Sequence, residues 1–154
     1  MTPKQLFRAA AIAEAITWTL LISALITRGA TGWAFGVTIA GGIHGFVFLA
    51  YGATAIIVAI NQRWNLGVAA LAIVSAVVPY ATIPTEIWLA RSGRLEGAWR
   101  KDATDDPRDQ FWLDRLARWF IRHPLLLVII IAAAVVVLFV VLLNVGPPQL
   151  PGKN

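Results

Sequence analysis

The most constraining feature of this sequence is a run of nineteen consecutive uncharged apolar residues at positions 125–143. At 1.5 Å per residue, a helix of about 20 such residues matches the thickness of the bilayer hydrocarbon. Hydrophobic residues make up 58% of the 154-residue chain and charged residues only 14%, which excludes a soluble single domain. The run therefore predicts a transmembrane helix.

Three further apolar segments precede this run. The first lies between Arg8 and Arg28 with Glu14 as its only charge, and the second lies within 34 residues that contain no Lys, Arg, Asp or Glu. The third follows Trp64, which stands where an interfacial aromatic anchor is expected. The pattern predicts an all-α, polytopic membrane protein with four transmembrane helices, at about residues 6–26, 37–60, 66–89 and 125–143.

Most of the charge lies between the third and fourth predicted spans. Residues 91–123 hold eight of the thirteen Lys and Arg and six of the eight Asp and Glu. Asp106-Pro107 is typical of a helix start, and apolar side chains then recur at helical spacing opposite the basic ones. We predict a basic amphipathic helix at about 107–122, lying in the membrane interface or packing on a partner subunit. Its expected interface anchors are Trp112, Trp119 and Phe120.

These features divide the chain into four parts. They are a three-helix membrane domain at 1–92, a charged cytoplasmic linker at 93–124, the fourth span at 125–146 and a Pro-rich tail at 147–154. With four spans, nine Lys and Arg lie on the linker side and four on the other. The positive-inside rule then favours the bacterial cytoplasmic (plasma) membrane with the linker inside and both termini outside.

Glu14 and His44 are the ionisable side chains expected deep in the membrane. A carboxylate there costs roughly 2.5–3.5 kcal/mol, so it should face the bundle interior and have a partner. Antiparallel helices joined by a short turn bring the two residues to similar depth, and we predict that they pair. Such a pair is either a proton or cation relay or a hydrogen bond that fixes helix register.

Small residues on the second predicted helix indicate close helix packing. Gly41, Gly45 and Gly52 share one face, and Gly41-x-x-x-Gly45 is a pattern that lets helix backbones approach each other. We therefore expect a packing seam along this face.

Two prolines interrupt the third predicted helix. Pro79 and Pro84 each lack a backbone N–H and crowd the preceding turn, so we expect the helix to kink or unwind at both. Broken helices form binding sites in transporters, but they also occur in proteins that merely pack bent helices. Glu86, near the end of the helix, is expected to be interfacial with Arg91 as its partner.

The sequence lacks the residues that several kinds of catalytic, cofactor-binding and metal sites require. The chain has no cysteine, no His-Glu-x-x-His motif and no Gly-rich phosphate loop, and His123 lies at a membrane boundary away from His44. We predict no catalytic, cofactor-binding or metal site, and hence not an enzyme. Nucleic-acid binding is not expected either, because the basic residues flank apolar spans.

Three motifs point to a family. They are Phe7-Arg8 followed by Glu14, His44-Gly45 within Gly41-Gly-Ile-His-Gly-Phe-Val-Phe-Leu-Ala-Tyr51, and Pro79-Tyr-Ala-Thr82 with Glu86 beyond. In these motifs, residues 6–92 resemble a small integral-membrane domain family of unknown function, named for its His-Gly motif and found widely in actinobacteria and firmicutes. The family usually shows Glu-Gly where this chain has Glu14-Ala15. The resemblance implies a polar framework of Arg8, Glu14, His44, Gly45, Pro79, Thr82 and Glu86.

The function favoured by these features is that of a non-catalytic accessory or scaffold subunit of a larger cytoplasmic-membrane complex, for example a respiratory supercomplex. The competing hypothesis is a small proton-coupled transporter or channel that uses Glu14 and His44; a membrane enzyme ranks third. The expected partners are the lipid bilayer and either other membrane subunits or further copies of this chain. No cofactor and no nucleic acid are expected.

Overall fold

The structure is a computed structural model that describes residues 1–145, apart from the side chains at positions 108, 135, 138, 139, 142, 143 and 145. Every regular element in this part of the chain is helical, which confirms the all-α prediction there. The predicted tail at 147–154 lies outside the described residues. The helices are α1 (Pro3–Thr31), α2 (Phe35–Asn61), α3 (Leu66–Val74) with a 3-10 turn (Ser75–Val77), α4 (Thr82–Arg91), α5 (Trp112–Arg122) after a 3-10 turn (Pro107–Gln110), and α6 (Pro124–Val145).

Helices α1 and α2 form an antiparallel pair. A capping box at Thr2 begins α1, and Gly32 ends it with a left-handed φ of 76°. The ring of Trp33 then lies over Gly36, where an added Cβ would stand 2.5 Å from the ring. This glycine therefore permits the tight turn between the two helices.

The apolar core lies where the start of α1 meets the end of α2. Phe7 is fully buried, and its ring packs against Tyr51 of α2 at 5.5 Å and against Trp64 at 5.9 Å between centroids. Leu95, which follows α4, is buried in the same cluster. We call this end of the bundle, which holds Pro3 and Asn61, the near end; the α1–α2 turn is at the far end.

The predicted third helix at 66–89 is not one helix. The chain leaves the helical path after Val77, because Pro79 lacks an amide N–H and Tyr80 takes a left-handed φ of 65°. Pro84 does not break a helix, contrary to the prediction. It stands in the first turn of α4, where backbone N–H groups have no partner within the helix in any case.

Helices α3 and α4 form a hairpin that begins and ends at the near end. The Trp64 indole, two residues before α3, donates to the carbonyl of Arg94, three residues after α4, at 2.8 Å. Along the hairpin, Glu86 of α4 accepts from Arg8 near the start of α1 at 2.9 Å. The segment therefore returns to the end from which it came.

The charged segment folds back on the near end. The Trp99 indole donates to the carbonyl of Met1 at 2.9 Å, and Arg100 donates to the carbonyls of Ile60 and Asn61 at 2.5 and 2.7 Å. Helix α5 begins at Trp112, five residues later than the predicted amphipathic helix. The segment is therefore attached to the helical bundle.

The number of membrane-capable helices differs from the prediction. Within residues 1–145, α1 and α2 are each long and apolar enough to cross a bilayer. The bent pair formed by α5 and residues 124–134 of α6, whose axes differ by 102°, raises the number to three at most. Four transmembrane helices are not confirmed, because the third predicted span is divided between the two short arms of the hairpin.

Candidate functional site

The break between α3 and α4 brings polar side chains together inside the bundle. Glu14 is fully buried on α1, and the hydroxyl of Thr82 at the start of α4 lies 3.3 Å from its Oε2 atom and 3.2 Å from the carbonyl of Ala11. The start of α4 faces this carboxyl group, and the positive end of a helix dipole favours negative charge. The Oε1 atom of Glu14 accepts no hydrogen bond within the described part of the chain.

Glu14 and His44 belong to one cluster without a direct hydrogen bond between their side chains. Thr17 lies between them: its hydroxyl is 2.9 Å from the carbonyl oxygen of Glu14 and 3.0 Å from Nδ1 of His44. The indole of Trp18 packs on the His44 ring at 4.5 Å between centroids. The predicted pairing of the Glu14 and His44 side chains is therefore not formed, because the imidazole contacts Thr17, which bonds the backbone carbonyl of Glu14, while the Glu14 carboxyl group contacts Thr82.

The helix break is closed by side chains from α1 and α2. The Tyr51 hydroxyl donates to the carbonyl of Ala72 at 2.9 Å and lies 3.1 Å from the Ser75 hydroxyl. The Trp18 indole donates to the carbonyl of Ala76 at 3.2 Å. Backbone groups freed at membrane depth need such partners, so these contacts let the chain reverse direction inside the bundle.

Arg8 and Glu86 form an ion pair at the near end. The Arg8 Nε lies 2.9 Å from the Glu86 carboxylate, whose side chain is buried while that of Arg8 is half exposed. The prediction that Glu86 pairs with Arg91 was wrong. The hairpin, which the sequence pattern did not indicate, turns Glu86 toward α1 instead.

Within the described residues, the glycine face of α2 does not form a close seam with another helix. A Cβ built on Gly41 would only touch Leu21 of α1 at 4.0 Å, and one built on Gly45 or Gly52 would meet nothing within 4 Å. The buried face of α2, which includes His44, is directed to α1 instead. The glycines thus leave an open flank on the bundle.

A second polar cluster surrounds Asp109 outside the bundle. The buried carboxylate accepts from Thr104 N and Oγ1 at 2.8 and 2.6 Å, and from Arg63, Arg100 and Arg118 at 3.2, 2.9 and 3.2 Å. The hydrogen bonds from Thr104, together with the nearby guanidinium groups, hold the pKa of Asp109 well below its ordinary value. The sequence pattern around the helix start at Asp106-Pro107 did not indicate this cluster.

The predicted interface anchors occupy two environments. The side chains of Trp112 and Trp119 are exposed on one face of α5, whereas Phe120 is half-buried against the bundle. Phe120 lines an apolar cavity of about 170 Å³ between α2 and α5. Within the described residues, no group of three or more His, Cys, Asp or Glu side chains is placed to bind a metal ion.

Comparison with known proteins places the membrane domain in a family. Residues 4–91 match the model of a family described as a domain of unknown function (DUF3817). A Streptomyces coelicolor protein, whose name assigns it only to the membrane, is 39% identical over 87 residues; the match covers 55% of this chain and 10% of that protein. No solved structure matches. The resemblance to a membrane family of unknown function is thereby confirmed, but its His-Gly name is not.

Proposed function

The chain belongs to the DUF3817 family, and we propose that it is a non-catalytic integral membrane protein serving as an accessory or scaffold subunit of a larger membrane complex. The observation that carries this proposal is the open flank of Gly41, Gly45 and Gly52. In lipid, helices associate through close van der Waals packing, and glycines permit that approach. A flank on which no described residue of the chain packs against Gly45 or Gly52, and only Leu21 of α1 approaches Gly41, fits a helix of another subunit.

The polar cluster fits a structural role in such a subunit. Glu14 and Thr17 on α1, Tyr51 on α2 and Thr82 on α4 each make contacts between helices or across the break. These hydrogen bonds hold the hairpin against the α1–α2 pair. Comparable bonds in membrane bundles contribute about 0.6 kcal/mol each.

We further propose three spans, α1, α2 and α6, with α3 and α4 as a re-entrant hairpin. The 22 residues of α6 extend about 33 Å, enough to cross a hydrocarbon core of about 30 Å. The near end then carries Lys4, Arg8, Arg63 and the eight basic residues of 91–123, eleven of the thirteen in the chain. By the positive-inside rule this end is cytoplasmic, so the N-terminus is inside, which replaces the expectation of two outside termini.

The scaffold role is tested by filling the flank. The double variant Gly45→Ile/Gly52→Ile adds side chains where the fold has open space, and Gly29→Ile is the matched control because it has equal space near the end of α1. Each variant is purified in a mild detergent from its native membrane at endogenous expression, and quantitative mass spectrometry gives the stoichiometry of accompanying proteins. We expect a stoichiometric partner with the wild type and Gly29→Ile, and at least a tenfold loss of it with the double variant. A wild-type protein that is recovered alone would reject the proposal.

A proton-coupled carrier is the second candidate, and one observation favours it. Among the described residues, the Oε1 atom of the buried Glu14 accepts no hydrogen bond, and the atom lies beside a helix break inside the bundle. Proton flux into proteoliposomes after a pH jump distinguishes the two functions. A carrier would lose this flux with Glu14→Gln and keep it with Glu96→Gln, an exposed control. A scaffold would show no flux above that of protein-free vesicles.

A further inference from the structure

A basic cavity lies at the junction of α5 and α6, apart from the intramembrane cluster. Its volume is about 320 Å³, and it is walled by one residue of the linker and by consecutive turns of α5. The lining residues are Ala103, Arg115, Arg118, Trp119, Arg122 and His123. Three arginines and a histidine line this one cavity, and their side chains are suited to an anion with several oxygen acceptors.

The carboxylates near this cavity do not neutralise its charge. Arg118 shares the carboxylate of Asp109 with two other arginines, Arg63 and Arg100. Arg122 pairs with Asp102, whose side chain is 89% exposed and therefore strongly screened by water. The cavity therefore has an excess of positive charge.

Arg115 adds a further charge to this excess. Its Nε donates to the carbonyl of Gln110 at 3.1 Å. Within the described residues, Arg115 forms no ion pair. Its guanidinium group is exposed and available to an anion beside α5.

The orientation of α5 places the cavity at the level of lipid headgroups. Helix α5 turns by 102° from α6, so it lies close to the membrane plane if α6 crosses the membrane. Trp112, Leu116 and Trp119, at i, i+4 and i+7, form an exposed apolar face of α5. Arg115 and Arg122 flank this face, as in helices that lie in the interface with their apolar side in the acyl chains.

We propose that this cavity binds the phosphate of an anionic phospholipid, with the acyl chains of the lipid along the exposed apolar face of α5. A lipid fits both features, because the phosphate pairs with the guanidinium groups while the tails cover the tryptophans. Free inorganic phosphate would use only the basic cavity. The inference concerns the lipid partner of α5 and is independent of the glycine flank.

The test uses the full-length protein in detergent, with lipid binding measured by native mass spectrometry. The probes are phosphatidylglycerol, phosphatidylcholine and inorganic phosphate, each added separately. The variant Arg115→Gln/Arg122→Gln removes two charges from the cavity without touching the Asp109 cluster. The control Lys4→Gln/Arg91→Gln removes two charges from the same end of the bundle, away from the cavity.

We expect the wild type and the control to bind phosphatidylglycerol at least tenfold more tightly than phosphatidylcholine. The cavity variant should bind phosphatidylglycerol roughly 30-fold more weakly, from about 1 kcal/mol for each basic residue at an anionic surface. Equal weakening in both double variants would overturn the site, since it would indicate general charge attraction. Unchanged binding in the cavity variant, or binding of inorganic phosphate without phosphatidylglycerol, would also overturn the proposal. Thermal unfolding of each variant shows whether it is folded. If the double variant is not folded, Arg115→Gln alone provides the same test, and it is expected to weaken phosphatidylglycerol binding about fivefold.

Discussion

The proposed re-entrant hairpin predicts which positions of the chain share a side of the membrane. Leu66 begins α3 and Ser92 follows α4, and both are exposed at the near end, whereas Thr31 ends α1 at the far end. Because the chain contains no cysteine, single-cysteine variants at these three positions each carry one reporter thiol. We expect Leu66→Cys and Ser92→Cys to react with an impermeant maleimide from the same side, and Thr31→Cys from the opposite side.

The depth to which the hairpin enters the membrane follows from the lengths of its two arms. Residues Leu66–Val77 extend about 18 Å and the ten residues of α4 about 15 Å, so neither arm reaches across a core of about 30 Å. The turn between them lies beside Trp18, fifteen residues beyond Pro3 and thus roughly 22 Å along α1. A cysteine at Val78 in this turn should therefore stay unlabelled from both sides.

The assay compares maleimide labelling of intact cells, inverted vesicles and detergent-solubilised membranes. Labelling in detergent shows that each thiol is reactive, and it is the reference for the other two samples. Four transmembrane helices would place Leu66 and Ser92 on opposite sides. Labelling of those two cysteines from opposite sides would refute the hairpin topology.

Three further predictions concern stability. Phe7→Ala should lower the free energy of unfolding by about 3–5 kcal/mol, because it empties the aromatic cluster of the core, while Leu66→Ala, at an exposed position, should change it little; denaturant unfolding in micelles measures both. Gly36→Ala should destabilise the α1–α2 turn by about 1 kcal/mol, the lower end of the cost of overpacking, because the exposed Trp33 ring must move, and Trp33→Ala should relieve that loss in the double variant; an unrelieved loss in thermal unfolding would contradict the contact. The pKa of Asp109 is lowered in the folded protein, so its stabilising contribution is complete above the ordinary value of 3.8 and lost as the pH falls below it; hydrogen-exchange protection factors of residues 98–118, which correct for the intrinsic pH dependence of exchange, should be high at neutral pH, fall below about pH 4, and be low at all pH values in Asp109→Asn.

Local patterns predicted the elements, and long-range contacts decided how they are arranged. The stretch of α1 with Glu14 as its single charge and the uncharged stretch of α2 identified both helices, because bilayer thickness sets the length of an apolar span. Apolar length alone did not reveal that 66–89 divides into two arms. That reversal needs a left-handed Tyr80 and three hydrogen bonds to carbonyl groups at the break, which the side chains of Trp18, Tyr51 and Ser75 donate.

In the candidate site, too, the sequence predicted individual residues but not the contacts between them. Glu14, Thr82, Arg8 and Glu86 were named from motif spacing, but their pairings depend on the direction of α4 and could not be read from the sequence. The Asp109 cluster was missed for a related reason. Its arginines come from three separate segments of the chain, and only the folded linker brings them to one carboxylate.

The short turn between α1 and α2 has a consequence for the biosynthesis of the protein. In the three-span topology, the residues between these two helices, 32–34, are uncharged and form the whole connection at the far end. An α1–α2 pair can therefore enter the bilayer as one helical hairpin, and Arg28 is the only ionised side chain of the pair that must reach the external face. The ribosome can then complete the hairpin α3–α4 and the charged segment on the cytoplasmic side, so none of the carboxylates or guanidinium groups of residues 91–123 has to be translocated.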